Sequence, residues 1–139
     1  MSGSPERVVV HVDGGARGNP GPSAIAAVVT GPDGEELRRR GEAIGRATNN
    51  VAEYKAVMLG IDLAKQLGAR EVELVGDSEL VVRQIKGEYR VKHADLQELH
   101  SQVRAALAEL ERWSIRHVRR EQNATADALV NETLDRVSD

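Results

Sequence analysis

The 139-residue sequence contains no cysteine, and aromatic residues make up only 2% of it. The absence of cysteine excludes disulfides, thiolate catalysis and cysteine-based zinc sites. None of the four histidines is four residues from another, so a zinc-binding pair on one helix is not expected. The aromatic residues are Tyr54, Tyr89 and Trp113, which are too few for a platform that stacks single-stranded bases.

The sequence also lacks any run of about 18 apolar residues, the length that a membrane span needs. Residues 1–6 are polar and do not have the pattern of a signal peptide. We therefore expect a cytoplasmic location and no membrane partner. The net charge of −3 argues against a protein that coats nucleic acid by bulk attraction. A nucleic acid would instead be recognised through its backbone or its helical shape.

The chain length predicts a single domain over 1–139, with a core over about 7–137. Apolar runs and turn signals predict the element order βββ-α-β-α-α-β-α, an α/β fold. The first three strands should be antiparallel, whereas the later strands alternate with helices and should be parallel, with helices on both sheet faces. Strands are predicted at 7–12, 23–30, 35–45, 71–76 and 113–118, and helices at 50–67, 79–85, 94–112 and 123–137. The polar end after Leu134 suits a chain that continues into a further domain.

Four carboxylates occupy positions that hydrophobic patterning alone does not explain. Asp13 and Asp77 each end an apolar strand, while Glu53 and Asp127 lie on or beside the inward stripe of a helix. Ligand crevices form at the carboxyl ends of strands in open α/β sheets. Carboxylates placed side by side raise each other's pKa unless a cation is present, and such oxygen-rich sites suit Mg²⁺ or Mn²⁺. Two such ions about 3.5–4 Å apart can assist phosphodiester cleavage.

Each of these acids also has an ordinary structural explanation. Asp13 can be a turn residue before two glycines, and Asp77 can cap the helix that follows it. Glu53 can complete a capping box with Asn50, and Asp127 can be a first-turn acid favoured by the helix dipole. The residues alone therefore predict a candidate metal site and no specific activity.

Other polar groups also have both a ligand-binding and a structural explanation. Asn19 can present its amide to a phosphate or a 2′-hydroxyl, or it can hold the glycine-rich turn. Residues 48–50 lie at a helix N-terminus, where they can bind an anion or cap the helix. The arginines at 38–40 are expected to form a solvated edge strand, and those at 116, 119 and 120 are better phosphate candidates. His11, Tyr54 and Trp113 are expected in the core.

Several motifs in one order resemble type 1 ribonuclease H. They are 12–21 (VDGGARGNPG), 48–53 (TNNVAE), 76–78 (GDS), 121–123 (EQN) and 126–129 (ADAL). The resemblance extends from residue 8 to about 134. It implies a ribonuclease H-like fold, a five-stranded mixed sheet whose first three strands are antiparallel. It also implies hydrolysis of the RNA strand of RNA/DNA hybrids, which leaves 3′-hydroxyl and 5′-phosphate ends.

The resemblance assigns roles to the same four carboxylates. Asp13 and Asp77 would hold two metal ions, Mg²⁺ or Mn²⁺, between them. Glu53 would bind one ion and contact the RNA 2′-hydroxyl, and Asp127 would hold the ion beside the attacking water. Asn19 and Asn49 would contact sugars and base edges, and Thr48 a DNA phosphate. The implied substrate-binding set is completed by Gly14, Gly15, Ala16, Asn50, Ser78 and Glu79.

Three features depart from the family pattern. The segment 118–123 is too short for the loop that carries a mobile catalytic histidine in many members, and Arg119 or Arg120 is expected to replace that histidine in part. Glu79 stands where a glutamine is frequent, and this acid is expected to weaken backbone contacts or attract a metal. The loop 87–93 is too short for a basic protrusion, which should weaken hybrid binding. These shortenings resemble the compact archaeal and bacterial subgroup, in which the domain is sometimes fused to a C-terminal phosphatase-like domain.

The leading hypothesis is therefore a metal-dependent endoribonuclease that acts as a monomer on RNA/DNA hybrids. The same fold also supports transposases, integrases, resolvases and 3′–5′ exonucleases. A silent hybrid-binding module and a general metal-dependent phosphatase are the alternatives from other classes. Asn19 and the motif at 48–50 favour the ribonuclease over the other activities of this fold, and the presence of all four carboxylates argues against the silent module. A general phosphatase would show no preference for hybrids over small phosphoesters.

Overall fold

The computed structural model describes residues 6–137, which form one sheet with four α-helices. The strands are β1 (Arg7–Ala16), β2 (Gly21–Thr30), β3 (Glu36–Ala47), β4 (Glu71–Gly76) and β5 (Arg112–His117). The helices are α1 (Asn49–Gln66), α2 (Glu79–Lys86), α3 (Ala94–Ala108) and α4 (Ala124–Val137), and a 3₁₀ turn (Arg120–Asn123) precedes α4. Among these residues, no helix is both long enough and apolar enough to cross a bilayer.

The five strands follow the order β3-β2-β1-β4-β5 across the sheet. β1 pairs antiparallel with β2, and β2 pairs antiparallel with β3, as short turns between them require. β4 lies parallel to β1, and β5 lies parallel to β4, because helices connect each of them to the preceding strand. The predicted fold class, a mixed sheet with an antiparallel first half, is confirmed.

The core lies on both faces of this sheet. On one face, Val8, Val10 and Val12 alternate along β1 and pack in the main cluster with α1. Gly60 permits this close approach, because a Cβ there would lie 2.8 Å from the Val12 side chain. On the other face, α4 packs against β2 in a smaller apolar cluster that includes Ala26. The prediction of helices on both faces is confirmed, and Tyr54 is fully buried as expected.

The structure settles details at two helix ends. α1 is capped by Thr48, whose Oγ1 accepts from the N–H of Val51, as the capping explanation of residues 48–50 allowed, and the alternative box of Asn50 with Glu53 is not formed. α3 ends at Ala108 instead of residue 112, because the N–H groups of Glu111 and Arg112 already bond the carbonyl of Arg70 at the start of β5.

The predicted core positions of two residues also need correction. His11 and Trp113 are only half-buried. His11 lies on the sheet face opposite α1, and burial is the main cause of its lowered pKa. The Arg104 guanidinium lies 5.3 Å from the centroid of the Trp113 ring. The edge strand was predicted correctly, since the arginines at 38–40 are all exposed and lie beside Gln66, Glu36 and Glu42.

Candidate active site

Asp13 and Asp77 meet at the carboxyl ends of two adjacent parallel strands. The register pairs His11 with Val75, and each aspartate lies two residues further along its strand direction. Glu53, from the second turn of α1, points at the same place. Carboxylate oxygens of Asp13, Glu53 and Asp77 all lie within 4.8 Å of one another. The structure thus brings together three of the four acids that the sequence singled out.

Glu53 is held in this cluster by the backbone of β1. Its Oε1 accepts a hydrogen bond from the N–H of Gly14 over 3.0 Å, and only 7% of the residue is exposed. Gly14 makes the approach possible, because a Cβ there would lie 2.4 Å from the backbone of Ala52. A real Cβ does not tolerate such a contact, so the glycine is required by the packing of α1 on β1.

The electrostatics of the cluster favour a bound cation. Burial, and then the charge of Asp77, raise the pKa of Asp13 to about 7. Burial and the charge of Asp13 raise the pKa of Glu53 well above its usual range, against the opposing hydrogen bond from Gly14. Buried carboxylates of like charge are stabilised when a cation neutralises them. Three carboxylates in one small cluster also form the oxygen-rich donor set that Mg²⁺ and Mn²⁺ prefer, so the residues present fit such an ion.

Asp127 lies beside this cluster, in the first turn of α4. Its Oδ1 accepts a hydrogen bond from Nη2 of Arg120 over 3.2 Å, and its charge contributes to the raised pKa of Asp13. Both residues line one cavity of about 480 Å³ together with the three clustered carboxylates. The cavity therefore contains four acids and a cationic side chain that approaches from the 3₁₀ turn.

The structure distinguishes between the two arginines proposed to replace the family histidine. Arg120 lines the cavity, and interactions with Asp127 are the main cause of its raised pKa. Arg119 is exposed and lies outside that cavity lining, and its backbone N–H donates to Gln122 Oε1. Only Arg120 is placed near the acids.

The asparagines of the sequence motifs connect the glycine-rich turn to α1. Asn49 Oδ1 accepts from the N–H of Ala16 over 2.9 Å, and Asn19 Oδ1 accepts from the N–H of Asn49 over 3.0 Å. Within residues 6–137, neither side-chain amide nitrogen donates to a protein acceptor. Asn49 lines the carboxylate cavity, whereas Asn19 and Thr48 line a neighbouring one of about 240 Å³. The two asparagines can therefore hold the glycine-rich turn through their side-chain oxygens and still bind a ligand through their amide nitrogens.

The remaining predicted substrate contacts divide into two groups. Residues lining the carboxylate cavity are Gly14, Gly15, Ala16, Asn50 and Ser78. Ser78 also caps α2, since its Oγ accepts from the N–H of Val81. Glu79 does not line this cavity, and its carboxylate pairs with Arg83 over 3.0 Å. The carboxylate of Glu79 is thus held in an ion pair on the exposed face of α2.

Two polar residues that line the cavity, and one that supports it, were not predicted as site residues from the sequence. Arg17 reaches across to Asp135 over 2.7 Å, and Asn131 donates to the backbone of Asp127 one turn away. Asn123 is buried, and its Nδ2 donates to the carbonyl of Val12, directly before Asp13. Asn131 had a detectable signal, because it follows Asp127 by four residues on a helix.

The fold and the site define a ribonuclease H-like protein, and comparisons with known proteins agree. Residues 11–133 match the family model described as Reverse transcriptase-like. Ribonuclease HI of Halobacterium salinarum is 43% identical over 129 residues, which cover 93% of this chain and 65% of that protein. LC11 ribonuclease H1, isolated from compost and solved in complex with an RNA/DNA hybrid, is 39% identical with a TM-score of 0.91. That comparison covers 95% of this chain and 99% of the LC11 chain. The chain belongs to the ribonuclease H family of nucleases.

A longer relative has the same domain as one part. A Mycobacterium tuberculosis protein described as bifunctional is 45% identical over 130 residues, which cover 93% of this chain. The match covers only 36% of the mycobacterial protein. The chain thus spans about a third of the length of this relative and about two thirds of the halobacterial one.

Proposed function

We propose that this domain is an endonuclease that hydrolyses the RNA strand of RNA/DNA hybrids. The observation that carries the proposal is the approach of Asp13, Glu53 and Asp77 to within 4.8 Å at the ends of β1 and β4. The names of the relatives and the hybrid bound to LC11 ribonuclease H1 support the substrate class.

Divalent metal ions are part of this proposal. Asp13 and Asp77 would hold two ions, Mg²⁺ or Mn²⁺, with Glu53 and Asp127 each completing one side of the site. When bound, such ions supply Lewis acidity, which activates water and neutralises charge on the scissile phosphate. The raised pKa values of Asp13 and Glu53 support this role, because a cation would relieve the repulsion that raises them.

The proposed reaction is an in-line displacement at phosphorus. A water oxygen forms the new bond to phosphorus, and the bond from phosphorus to the 3′-oxygen breaks. The leaving 3′-oxygen takes up a proton, while the phosphate stays on the other fragment. The products carry a 3′-hydroxyl and a 5′-phosphate. Arg120 is the side chain best placed to stabilise the leaving group or the product phosphate, because its guanidinium already lies at Asp127.

Recognition of the hybrid would come from backbone and sugar contacts. Glu53 would accept a hydrogen bond from the RNA 2′-hydroxyl, the group that distinguishes RNA from DNA. The amide nitrogens of Asn19 and Asn49 are free to donate to sugars and base edges. Thr48 would contact a phosphate of the DNA strand at the N-terminus of α1. Gly14, Gly15, Ala16, Asn50 and Ser78 would complete the contact surface.

The organisation of the whole protein is proposed in the same way. A single catalytic domain with a core over 7–137 would act as a monomer or as part of a longer chain. The mycobacterial relative supports the second arrangement, because this domain covers only 36% of it. Hybrid hydrolysis is compatible with the cytoplasmic location predicted from the sequence.

The test is cleavage of a hybrid labelled on its RNA strand, with Mg²⁺, Mn²⁺ or a chelator. Single-stranded RNA, double-stranded RNA and duplex DNA serve as matched substrates, and Asp77→Asn as the inactive control. Metal-dependent cleavage of the hybrid alone is expected, and mapped ends should be 3′-hydroxyl and 5′-phosphate. Binding without cleavage would instead favour a silent module. Cleavage of duplex DNA would favour the transposase and resolvase branch of the fold.

A further inference from the structure

A buried hydrogen bond connects α1 to α2 beside the carboxylates. The hydroxyl of Tyr54, the residue after Glu53, donates to Gln84 Oε1 over 2.6 Å. Tyr54 is fully buried and Gln84 is 5% exposed. The amide nitrogen of Gln84, Nε2, donates to the backbone carbonyl of Arg90 over 3.4 Å. These two hydrogen bonds, which we call the Tyr54–Gln84 relay, therefore connect α1 to the loop 87–93.

Other side chains fix the same part of the molecule from α3. His100 Nε2 hydrogen-bonds the carbonyl of Gln84 over 3.0 Å, and Arg104 donates to the carbonyl of Ile85 over 2.8 Å. Gln97 donates to the carbonyl of Val91 over 3.0 Å. The bonds to Gln84 and Ile85 are partly buried, whereas the bond to Val91 is exposed. Partly buried polar groups are costly unless partnered, so the first two bonds favour one arrangement of α2 and α3.

The loop 87–93 borders a groove next to the active site. Tyr89, Arg90 and Lys92 line this cavity of about 610 Å³, together with Leu80 on α2. Asn50 lines both this groove and the carboxylate cavity, so the two adjoin at this residue. Leu80 and Tyr89 are exposed, and they give the groove an apolar wall beside Arg90 and Lys92. Glu88 also lines the groove, but its carboxylate pairs with Arg83 over 3.2 Å. Such a combination fits the sugar-phosphate backbone of a nucleic acid strand.

We propose that the Tyr54–Gln84 relay is a positioning device that holds the loop 87–93 against α1, so that Arg90 and Lys92 are placed to bind phosphates of the hybrid. The inference rests on the proposed function for its ligand. It gives the short loop a role in hybrid binding that the sequence assigned only to a longer protrusion. Tyr54 is a positioning residue, because it is fully buried and does not line the groove. Gln84 bonds Tyr54 and also lines the groove, so Tyr54→Phe is the variant that isolates the positioning effect.

The test separates loop order from hybrid binding. Tyr54→Phe removes only the relay hydroxyl, and Gln84→Met removes both bonds of the amide with little change in volume. Thr133→Val is the matched control, because it also removes one buried hydroxyl, which bonds the Leu129 carbonyl within α4. Arg90→Ala and Lys92→Ala remove the proposed phosphate ligands directly, and as surface changes they should leave folding intact.

Two measurements are made on each variant. Hydrogen exchange of the 87–93 amides is followed without nucleic acid. Binding of a fluorescein-labelled RNA/DNA hybrid is measured with chelator over a series of salt concentrations. Tyr54→Phe and Gln84→Met should accelerate exchange in this loop and raise Kd about three- to tenfold at physiological salt. The slope of log Kd against log salt should fall by about one in these variants and in Arg90→Ala and Lys92→Ala, since each phosphate contact contributes about that much.

The outcomes distinguish this inference from the proposed function. Unchanged loop exchange in Tyr54→Phe and Gln84→Met, or wild-type salt slopes in Arg90→Ala and Lys92→Ala, overturns the positioning role. An equal effect of Thr133→Val would also overturn it, because a general loss of stability would then explain the result. If the wild-type protein does not bind the hybrid at all, the proposed function fails, whatever the exchange of the loop shows.

Discussion

Glu53 accepts a hydrogen bond from the N–H of Gly14 over 3.0 Å, which ties the acid of α1 to the residue directly after Asp13. The bond is possible only because α1 lies against β1 at a position without a side chain. The packing of the main core and the geometry of the acidic cluster are therefore set by the same contact. A change at this contact should alter stability and metal binding together.

Gly14→Ala tests that coupling. A Cβ at this position would lie 2.4 Å from the Ala52 backbone, so α1 must move away from β1. We expect the free energy of unfolding to fall by about 2–3 kcal/mol, since overpacking of this kind costs about 1–3 kcal/mol. Gly15→Ala is the matched control, because its Cβ would make an ordinary 3.6 Å contact with Val130. Urea unfolding measures both, and equal losses in the two variants would contradict the explanation.

Asp77→Asn should make the metal-free protein more stable while lowering its hybrid cleavage. The substitution removes one of the charges that raise the pKa of Asp13, so the metal-free protein should become more stable. Mg²⁺ or Mn²⁺ should raise the melting temperature of the wild-type protein by mass action and have little effect on the variant. Hybrid cleavage should fall at least about a thousandfold, because several kcal/mol of charge stabilisation depend on the metal. An undiminished metal response in Asp77→Asn would show that the cluster is not a metal site.

The metal-free protein should lose stability as the pH rises from about 4 to about 7. The pKa of Asp13 is raised from 3.8 to about 7 in the folded protein, so the folded state holds a proton that the unfolded chain releases near pH 4. The folded state is favoured by this proton at low pH, and the advantage is lost progressively up to about pH 7. Other groups titrate in the same range, so the measurement is the difference between wild type and Asp13→Asn. That difference, from urea unfolding with chelator, should depend on pH, and a flat difference would contradict the prediction.

Much of the fold and part of the site were predictable from the sequence. Asp13 and Asp77 follow apolar strands, and strand ends meet at one edge of a sheet, so their approach follows from topology. The role of Glu53 was less certain, since spacing alone allowed a cap with Asn50. The choice was decided by the approach of Gly14, a contact 39 residues away in sequence. Local patterns do not contain such distant contacts.

The hydrogen bond between Tyr54 and Gln84 is a second distant contact that local sequence patterns do not predict. Its one sequence signal is a polar residue on the apolar stripe of α2, beside Val81 and Ile85, both of which are buried. The partner that satisfies Gln84 lies 30 residues earlier, so the sequence does not identify it. The end of α3 is similar, because pairing of β5 with β4 decides where the helix stops.

Arg120 and Arg119 provide the sharpest test of the chemistry, because two adjacent arginines occupy different surroundings. Arg120 lies 3.2 Å from Asp127 in the cavity lining, whereas Arg119 is exposed outside it. Arg120→Ala should lower kcat about 10- to 100-fold, a loss of about 1.4–2.7 kcal/mol of transition-state stabilisation. Arg120→Lys should recover only part of the rate, because a lysine keeps the charge but not the planar donor geometry of the guanidinium.

Binding of Mn²⁺ adds a readout that does not depend on turnover. Arg120 competes with a metal for Asp127, so Arg120→Ala should bind Mn²⁺ more tightly while cleaving more slowly. Isothermal titration of Mn²⁺ and single-turnover cleavage at saturating metal measure the two effects separately. Arg119→Ala should change both by less than about threefold, in keeping with a weakly coupled surface charge. Weaker Mn²⁺ binding in Arg120→Ala, or an equal loss of rate in Arg119→Ala, would show that the contact with Asp127 does not define the catalytic role of this arginine.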